Sequence, residues 1–229
     1  AFIAEPILSS GFVIVPAKGY QKRTWEICRE NDILYISDEV VTGFGRLGHW
    51  FASEEVFEII PDMITCAKGL TSGYLPLGAC IISDRVLEIA SQGDEPSAFT
   101  NGYTYSAHPV SCAAALKNIE IFENERILEN VRNVSPHFQH RLKDLMKYDI
   151  VGDARGMGLL GCIECKAEDL EAERSLGSKI DEACEELGLL VRPLINMAVF
   201  SPPLIITIEQ IDEMFDILEA AIIKVENNL

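Results

Sequence analysis

A chain of 229 residues is long enough for one large or two small domains, and 48% hydrophobic with 24% charged residues is a globular composition. A net charge of −17, from 36 acidic side chains against 19 Lys and Arg, argues against nucleic acid and anionic membrane surfaces, which require clustered positive charge. No apolar run approaches the roughly 18 residues of a membrane span, and no signal peptide is visible.

The chain opens on Ala1-Phe2-Ile3-Ala4-Glu5-Pro6, a buried strand entered midway, with no methionine and no N-terminal cap. It reads as the C-terminal part of a longer polypeptide. Phe2–Ala4 is the first expected strand. Gly19–Glu30 is an amphipathic helix, with Trp25 and Cys28 at i, i+3. Further strands are expected at Leu34–Ser37, Met63–Cys66 and Leu77–Ile82. Strands separated by helices or long loops predict a mostly parallel sheet covered on both faces by helices, an α/β arrangement. In such sheets reactive groups collect at the strand carboxyl ends. Glu5, Asp38 and Lys68 all fall just beyond those ends.

From Pro109 the pattern turns helical. Ser111–Phe122 and Ser135–Lys147 carry apolar residues at helical spacing, and Ser135-Pro136 reads as an N-cap followed by proline in the first turn. Val151–Glu164 reads as a turn plus strand, Ser175–Leu187 as a helix closed by Gly188, and Leu189–Val191 and Ala198–Phe200 as strands. Thr207 with Gln210 forms a capping box for a last helix whose core face is Ile211, Met214, Phe215, Leu218, Ile222 and Val225. The expected organisation is therefore part of a large domain over 1–116 and a smaller α+β domain over 117–229. Seven cysteines are an odd number, and the only close pair, Cys162 and Cys165, falls on opposite faces of a strand, a poor metal pair. Reduced thiols packed in a cytoplasmic protein are the simpler reading.

Lys68 follows the strand Met63–Cys66 and precedes glycine, with apolar Ala67 and Leu70 around it. A partly desolvated amine there would be a nucleophile, although most lysines in turns are surface residues. Asp38 ends the run Leu34-Tyr35-Ile36-Ser37. It either caps a neighbouring turn or offers its carboxylate to a basic group, and Val40 or Val41 could pack on a flat ring. An amine that forms a Schiff base and a carboxylate facing a pyridine nitrogen are what pyridoxal 5′-phosphate (PLP) chemistry requires. In the hydroxyl-rich loop Asn101–Pro109, Thr104 and Ser106 could donate to phosphate, while His108 reads as structural. Arg192 between apolar strands is either salt-bridged or aimed at a carboxylate. Trp50, Phe51 and Tyr74 could line a pocket, with core packing the simpler expectation for each.

Four segments taken together resemble the class III (omega) aminotransferases of PLP fold type I: Ile36–Arg46, Pro61–Leu70, Gly102–Ser106, and Arg192 through Pro202-Pro203-Leu204. The resemblance implies that Lys68 holds PLP and shuttles the proton. It implies that Asp38 pairs with the ring nitrogen, Val40 packs on the ring and Glu5 supports the pocket. Thr104 would bind the phosphate of the partner subunit's cofactor in a homodimer, and Arg192 would clamp a substrate carboxylate. The activity implied is transfer of an amino group from an amine or omega-amino acid to a pyruvate-like keto acid, in two half-reactions through pyridoxamine phosphate. A same-fold aminomutase and an inactive fragment are the alternatives. The sequence departs from the family at Phe12 and Ala107, where glycine is usual, and at Ala17, where proline is usual. It lacks the acid near Ser9–Ser10 of ornithine-type members, which favours omega-amine:pyruvate specificity. The family's N-terminal portion, with a phosphate cup and an aromatic that stacks on the ring, has no counterpart in these residues.

Overall fold

The computed structural model describes residues 1–92 and 102–228, so Asn101 of the hydroxyl-rich loop lies outside the described residues. The chain divides into two compact units. One comprises Ala1–Pro6, Pro16–Gly45 and His49–Arg126. The other comprises Ile7–Val15, Arg46–Gly48 and Ile127–Leu229.

The first unit is built on a four-stranded sheet of order β1-β2-β3-β4, comprising Phe2–Ala4, Tyr35–Asp38, Met63–Cys66 and Ala79–Ile82. The first three strands are parallel and β4 is antiparallel. Helix α1 (Tyr20–Glu30) turns Cys28 and Trp25 toward Tyr35 and Phe2, and the Trp25 indole N–H donates to the Ile60 carbonyl at 2.9 Å. Buried Asp62, just before β3, accepts from the Tyr35 amide at 2.8 Å and pairs with Arg29 and Arg85. That carboxylate anchors the start of β2 against the start of β3. Short helices α2 (Ala52–Glu55) and α3 (Asp84–Ala90) escape the sequence pattern, being too brief for helical periodicity. Helix α4 is Pro109–Asn124. Its Phe122 stacks on Trp50 at 5.6 Å, so the expected core role of Trp50 holds. Tyr74 differs from expectation and is 85% exposed, and all four residues of β4 are also exposed.

The second unit carries an antiparallel sheet made of β5 (Val151–Met157), β6 (Leu160–Cys165), β7 (Arg192–Leu194) and β8 (Met197–Phe200), in the order β5-β6-β8-β7. Helices α5 (Ile127–Asp144), α6 (Leu170–Glu186) and α7 (Ile208–Glu226) bury one face each against its core. The Thr207–Gln210 capping box is present, and Ile211, Phe215, Leu218, Ile222 and Val225 are buried as expected, with Met214 packed at the margin.

Three expectations need correction. Helix α5 does not begin at Ser135, because Pro136 lies inside it. The ring removes one backbone donor, a cost of about 3 kcal/mol in an ordinary helix interior. Burial of Val131, Val134 and Phe138 on both sides of the proline offsets that cost. Ser135 is no cap, since its hydroxyl donates back to the Val131 carbonyl at 2.6 Å. The stretch Val151–Glu164 is a hairpin of two strands, β5 and β6, rather than a turn and one strand. Leu189–Val191 is not a strand. Gly188 (φ +90°) ends α6, the Leu189 amide donates back to the Cys184 carbonyl at 2.8 Å, and the ladder starts only at Arg192.

The family's usual glycines at 12 and 107 have a physical reason in this backbone. Phe12 has φ +82° and Ala107 φ +55°, both in the left-handed region. Ala107 is exposed and has no packing to lose. Ala107→Gly is therefore expected to stabilise the chain by about 0.5–1 kcal/mol, raising the midpoint of a thermal melt by roughly 2 °C. An unchanged or lower midpoint would contradict the strained backbone at this position.

All seven cysteines are free. Burial pushes the Cys162 thiol up to about 11 and those of Cys165 and Cys184 to about 12, which leaves them protonated and inert at neutral pH. Among the described residues, no helix is long and apolar enough to cross a membrane.

Candidate active site

Parallel pairing in the first unit brings three carboxyl ends to one edge of the sheet. Ala4 lies beside Ser37, and Asp38 lies beside Thr65. Glu5, Asp38 and Thr65 thus stand level on adjacent strands, which run about 4.8 Å apart. The Glu39 amide donates to the Thr65 carbonyl at 2.9 Å and extends this alignment one residue past β2.

Lys68 lies two residues beyond β3. There the chain reverses into a short 3-10 turn, Lys68–Leu70, with Lys68 itself at φ +39°. A non-glycine residue in this region is strained, and such strain persists only where surrounding contacts enforce it. The contacts are visible. The Asn118 side-chain amide on α4 donates to the carbonyls of Gly69 (2.9 Å) and Leu70 (3.1 Å), and its oxygen accepts from Ser72 Oγ at 2.7 Å. A Cβ on Gly69 would lie 2.7 Å from Phe44 Cβ and 3.4 Å from the Gly43 carbonyl. Glycine there lets the lysine turn press directly on the loop that follows Asp38. Lys68 and Asp38 are thereby carried on two backbone segments in contact.

Asp38 Oδ1 accepts from the Val40 amide at 3.1 Å, and Asp38 and Lys68 form no ion pair among the described residues. Lys68 is exposed although Leu70 in the same turn is buried, so the expected partial desolvation of its amine is corrected. Thr65 Oγ1 is buried without a hydrogen-bond partner, an orphan that ordinarily costs free energy. An amine, a carboxylate and an unsatisfied hydroxyl on neighbouring strand ends fit a ligand with an electrophilic carbon and a basic ring nitrogen. Glu5 is placed by its backbone. Gln21 Nε2 donates to the carbonyls of Glu5 (2.8 Å) and Pro6 (3.1 Å), and buried Tyr35 donates its hydroxyl to Gln21 Oε1.

Thr104 sits exposed in a turn after Gly102, within which the Ser106 hydroxyl accepts from the Tyr103 amide at 3.0 Å. Ser106 is thus engaged locally, while Thr104 faces solvent. Arg192 belongs to the second unit. It opens edge strand β7 opposite Val199, is exposed, and makes no ion pair among the described residues.

Sequence reasoning missed Glu39, Thr65, Gln21 and Asn118. Asn118 and Gln21 look like ordinary helix-surface residues in sequence. Their partners are backbone carbonyls 48–49 and 15–16 residues away.

Residues 1–222 match the family model described as Aminotransferase class-III. A putrescine–pyruvate aminotransferase from Pseudomonas aeruginosa is 42% identical over 219 residues, covering 93% of this chain and 47% of that protein. A chloroplastic gamma aminobutyrate transaminase from Solanum lycopersicum is 40% identical, covering all of this chain and 45% of that protein. A crystal structure of an amine transaminase from an uncultivated Pseudomonas species, in a PLP-bound form, superposes with a TM-score of 0.92 at 38% identity, covering 98% of this chain and 52% of that one. The chain spans about half the length of the curated relatives it matches. The match over residues 1–222, with relatives about 40% identical over nearly the whole of this chain, places the chain in the class III aminotransferase family.

Proposed function

We propose that this chain supplies the lysine-bearing part of a PLP-dependent aminotransferase, which transfers an amino group from an amine or omega-amino acid to a keto acid of the pyruvate type. The observation that carries the reading is the placement of Lys68 and Asp38 on adjoining backbone segments at one sheet edge, neither neutralised by an ion pair. When bound, PLP supplies a protonated, electron-withdrawing ring that stabilises negative charge on the substrate carbon.

The chain's own residues do the rest. Lys68 would hold the cofactor by condensing its amine with the cofactor aldehyde, with loss of water, and its amine, freed by an incoming substrate amine, would carry the proton on the substrate carbon. Asp38 holds a proton on the ring nitrogen, because a nearby negative charge favours the cationic form. Val40 packs on the ring face, and Glu5 shapes the wall beside Asp38. Thr104, exposed on its turn, donates to the cofactor phosphate of a second copy in a homodimer. Arg192 offers a planar, unpaired guanidinium to a substrate carboxylate. The putrescine–pyruvate activity named for one relative supports the amine donor and the pyruvate-like acceptor. Buried, protonated thiols suit the reducing cytoplasm.

The test uses the protein as encoded, with the sequence that flanks this chain. Added PLP should give a yellow protein, an amine donor should bleach it, and pyruvate should restore the colour with release of alanine. A colourless protein in excess PLP would contradict the reading. Isomerisation of a single substrate with no acceptor would replace it with an aminomutase.

A further inference from the structure

Glu39 is the neighbour of Asp38 and is 0% exposed, yet amino-group transfer as set out above gives it no task. Strand alternation turns the two side chains to opposite faces. Glu39 faces α2, as does Ser37, whose hydroxyl lies 2.8 Å from Ser53 Oγ and donates to it, since the one Ser53 hydroxyl proton goes to the Glu39 carboxylate. Both oxygens of the Glu39 carboxylate are fully used. Oε1 accepts from the Ser53 amide (2.7 Å) and Ser53 Oγ (2.6 Å). Oε2 accepts from the Ala52 amide (2.9 Å) and Thr42 Oγ1 (2.7 Å). Its backbone joins in, since its carbonyl accepts from the Gly43 amide at 2.9 Å and its amide donates to the Thr65 carbonyl.

Such a set of bonds draws the two ends of the 39–53 segment together around one buried carboxylate. The segment's first residue after the clamp is Val40, whose amide donates to Asp38 Oδ1. The orientation of the Asp38 carboxylate thus depends on Val40, and the place of Val40 depends on Glu39. We propose that Glu39 is a positioning residue for the cofactor, holding the Asp38 carboxylate and the Val40 side chain in the arrangement that ring binding needs. The inference rests on the reading of Asp38 and Val40 given under the proposed function.

The experiment compares wild type, Glu39→Gln and Ser53→Ala in the protein as encoded. In Glu39→Gln, one acceptor oxygen becomes an N–H₂ that meets a backbone amide on either side of the clamp, so the segment cannot stay closed. Three readouts apply: the dissociation constant for PLP by equilibrium dialysis, the pH titration of bound-cofactor absorbance, and amide hydrogen exchange at Val40 and Gly43 without cofactor. Glu39→Gln is expected to weaken PLP binding roughly tenfold or more, as loss of a supporting hydrogen-bond shell does at other cofactor and metal sites. It should also shift the pH titration and speed exchange at Val40 and Gly43 relative to β1 and β3. Ser53→Ala should act in the same direction with a smaller effect, and it decides the matter if Glu39→Gln does not fold. A lower melting temperature with wild-type PLP affinity and an unchanged pH titration would reduce Glu39 to a structural role and overturn the proposal. Wild-type protein that takes up no PLP would overturn the functional reading together with this inference. A normal wild type with indifferent variants overturns the inference alone.

Discussion

Lys68→Ala is expected to abolish amino-group transfer, with the rate falling roughly 10⁴-fold or more, the scale on which removal of a covalent nucleophile acts. Two tasks disappear with one amine: attachment of the cofactor aldehyde and transfer of the proton on the substrate carbon. The structure makes the variant informative, because Lys68 is exposed and makes no ion pair among the described residues. Its removal costs little packing, and the melting temperature should move by no more than a few degrees. Lys68→Arg separates chemistry from charge, since a guanidinium keeps the cation and lacks a nucleophilic amine. Equal inactivity of the two variants is the expected result in a single-turnover assay of the amine half-reaction. Substantial transfer in either variant would remove Lys68 from its role.

Asp38→Asn is expected to leave cofactor attached to the protein and to slow proton removal from the substrate by roughly 10²–10⁴-fold. The substitution preserves shape. An asparagine oxygen still accepts from the Val40 amide, so the local turn survives. What is lost is the negative charge that keeps the ring nitrogen protonated, and with it the electron withdrawal that makes the substrate carbon acidic. Stopped-flow measurement with a deuterated amine donor checks the assignment. The isotope effect should grow toward its full value as proton removal becomes the slow step. Wild-type rates in the asparagine variant would place the carboxylate elsewhere in the chemistry.

The sheet edge that carries the candidate residues was legible from sequence because it follows from strand ends. Three parallel strands with polar residues at their carboxyl termini are enough to bring Glu5, Asp38 and the Lys68 turn to one edge, and the register bears this out. The α7 capping box and core stripe were legible for a related reason, being local signals within a few residues. Two departures from the family glycines, Phe12 and Ala107, were also readable, and both prove to be left-handed positions.

What escaped depends on distant partners. Glu39 reads as one more acid at a strand end, while the atoms that make it a hub lie 13 and 14 residues downstream. Helix α5 runs through Pro136 because its buried face outweighs a missing backbone donor, a balance that local propensity does not contain. Leu189 and Val191 are as apolar as strand residues, yet they pack beside the core from the end of α6. The exposure of Lys68 and Tyr74 likewise depends on what surrounds them in space.

The most direct measurement is chemical trapping. The protein as encoded is incubated with PLP, reduced with borohydride, digested, and mapped by mass spectrometry. The account predicts a single stable pyridoxyl-phosphate adduct on Lys68, prevented by prior conversion of the cofactor with an amine donor. An adduct confined to other lysines, or none in a protein that carries out the transfer, would contradict it.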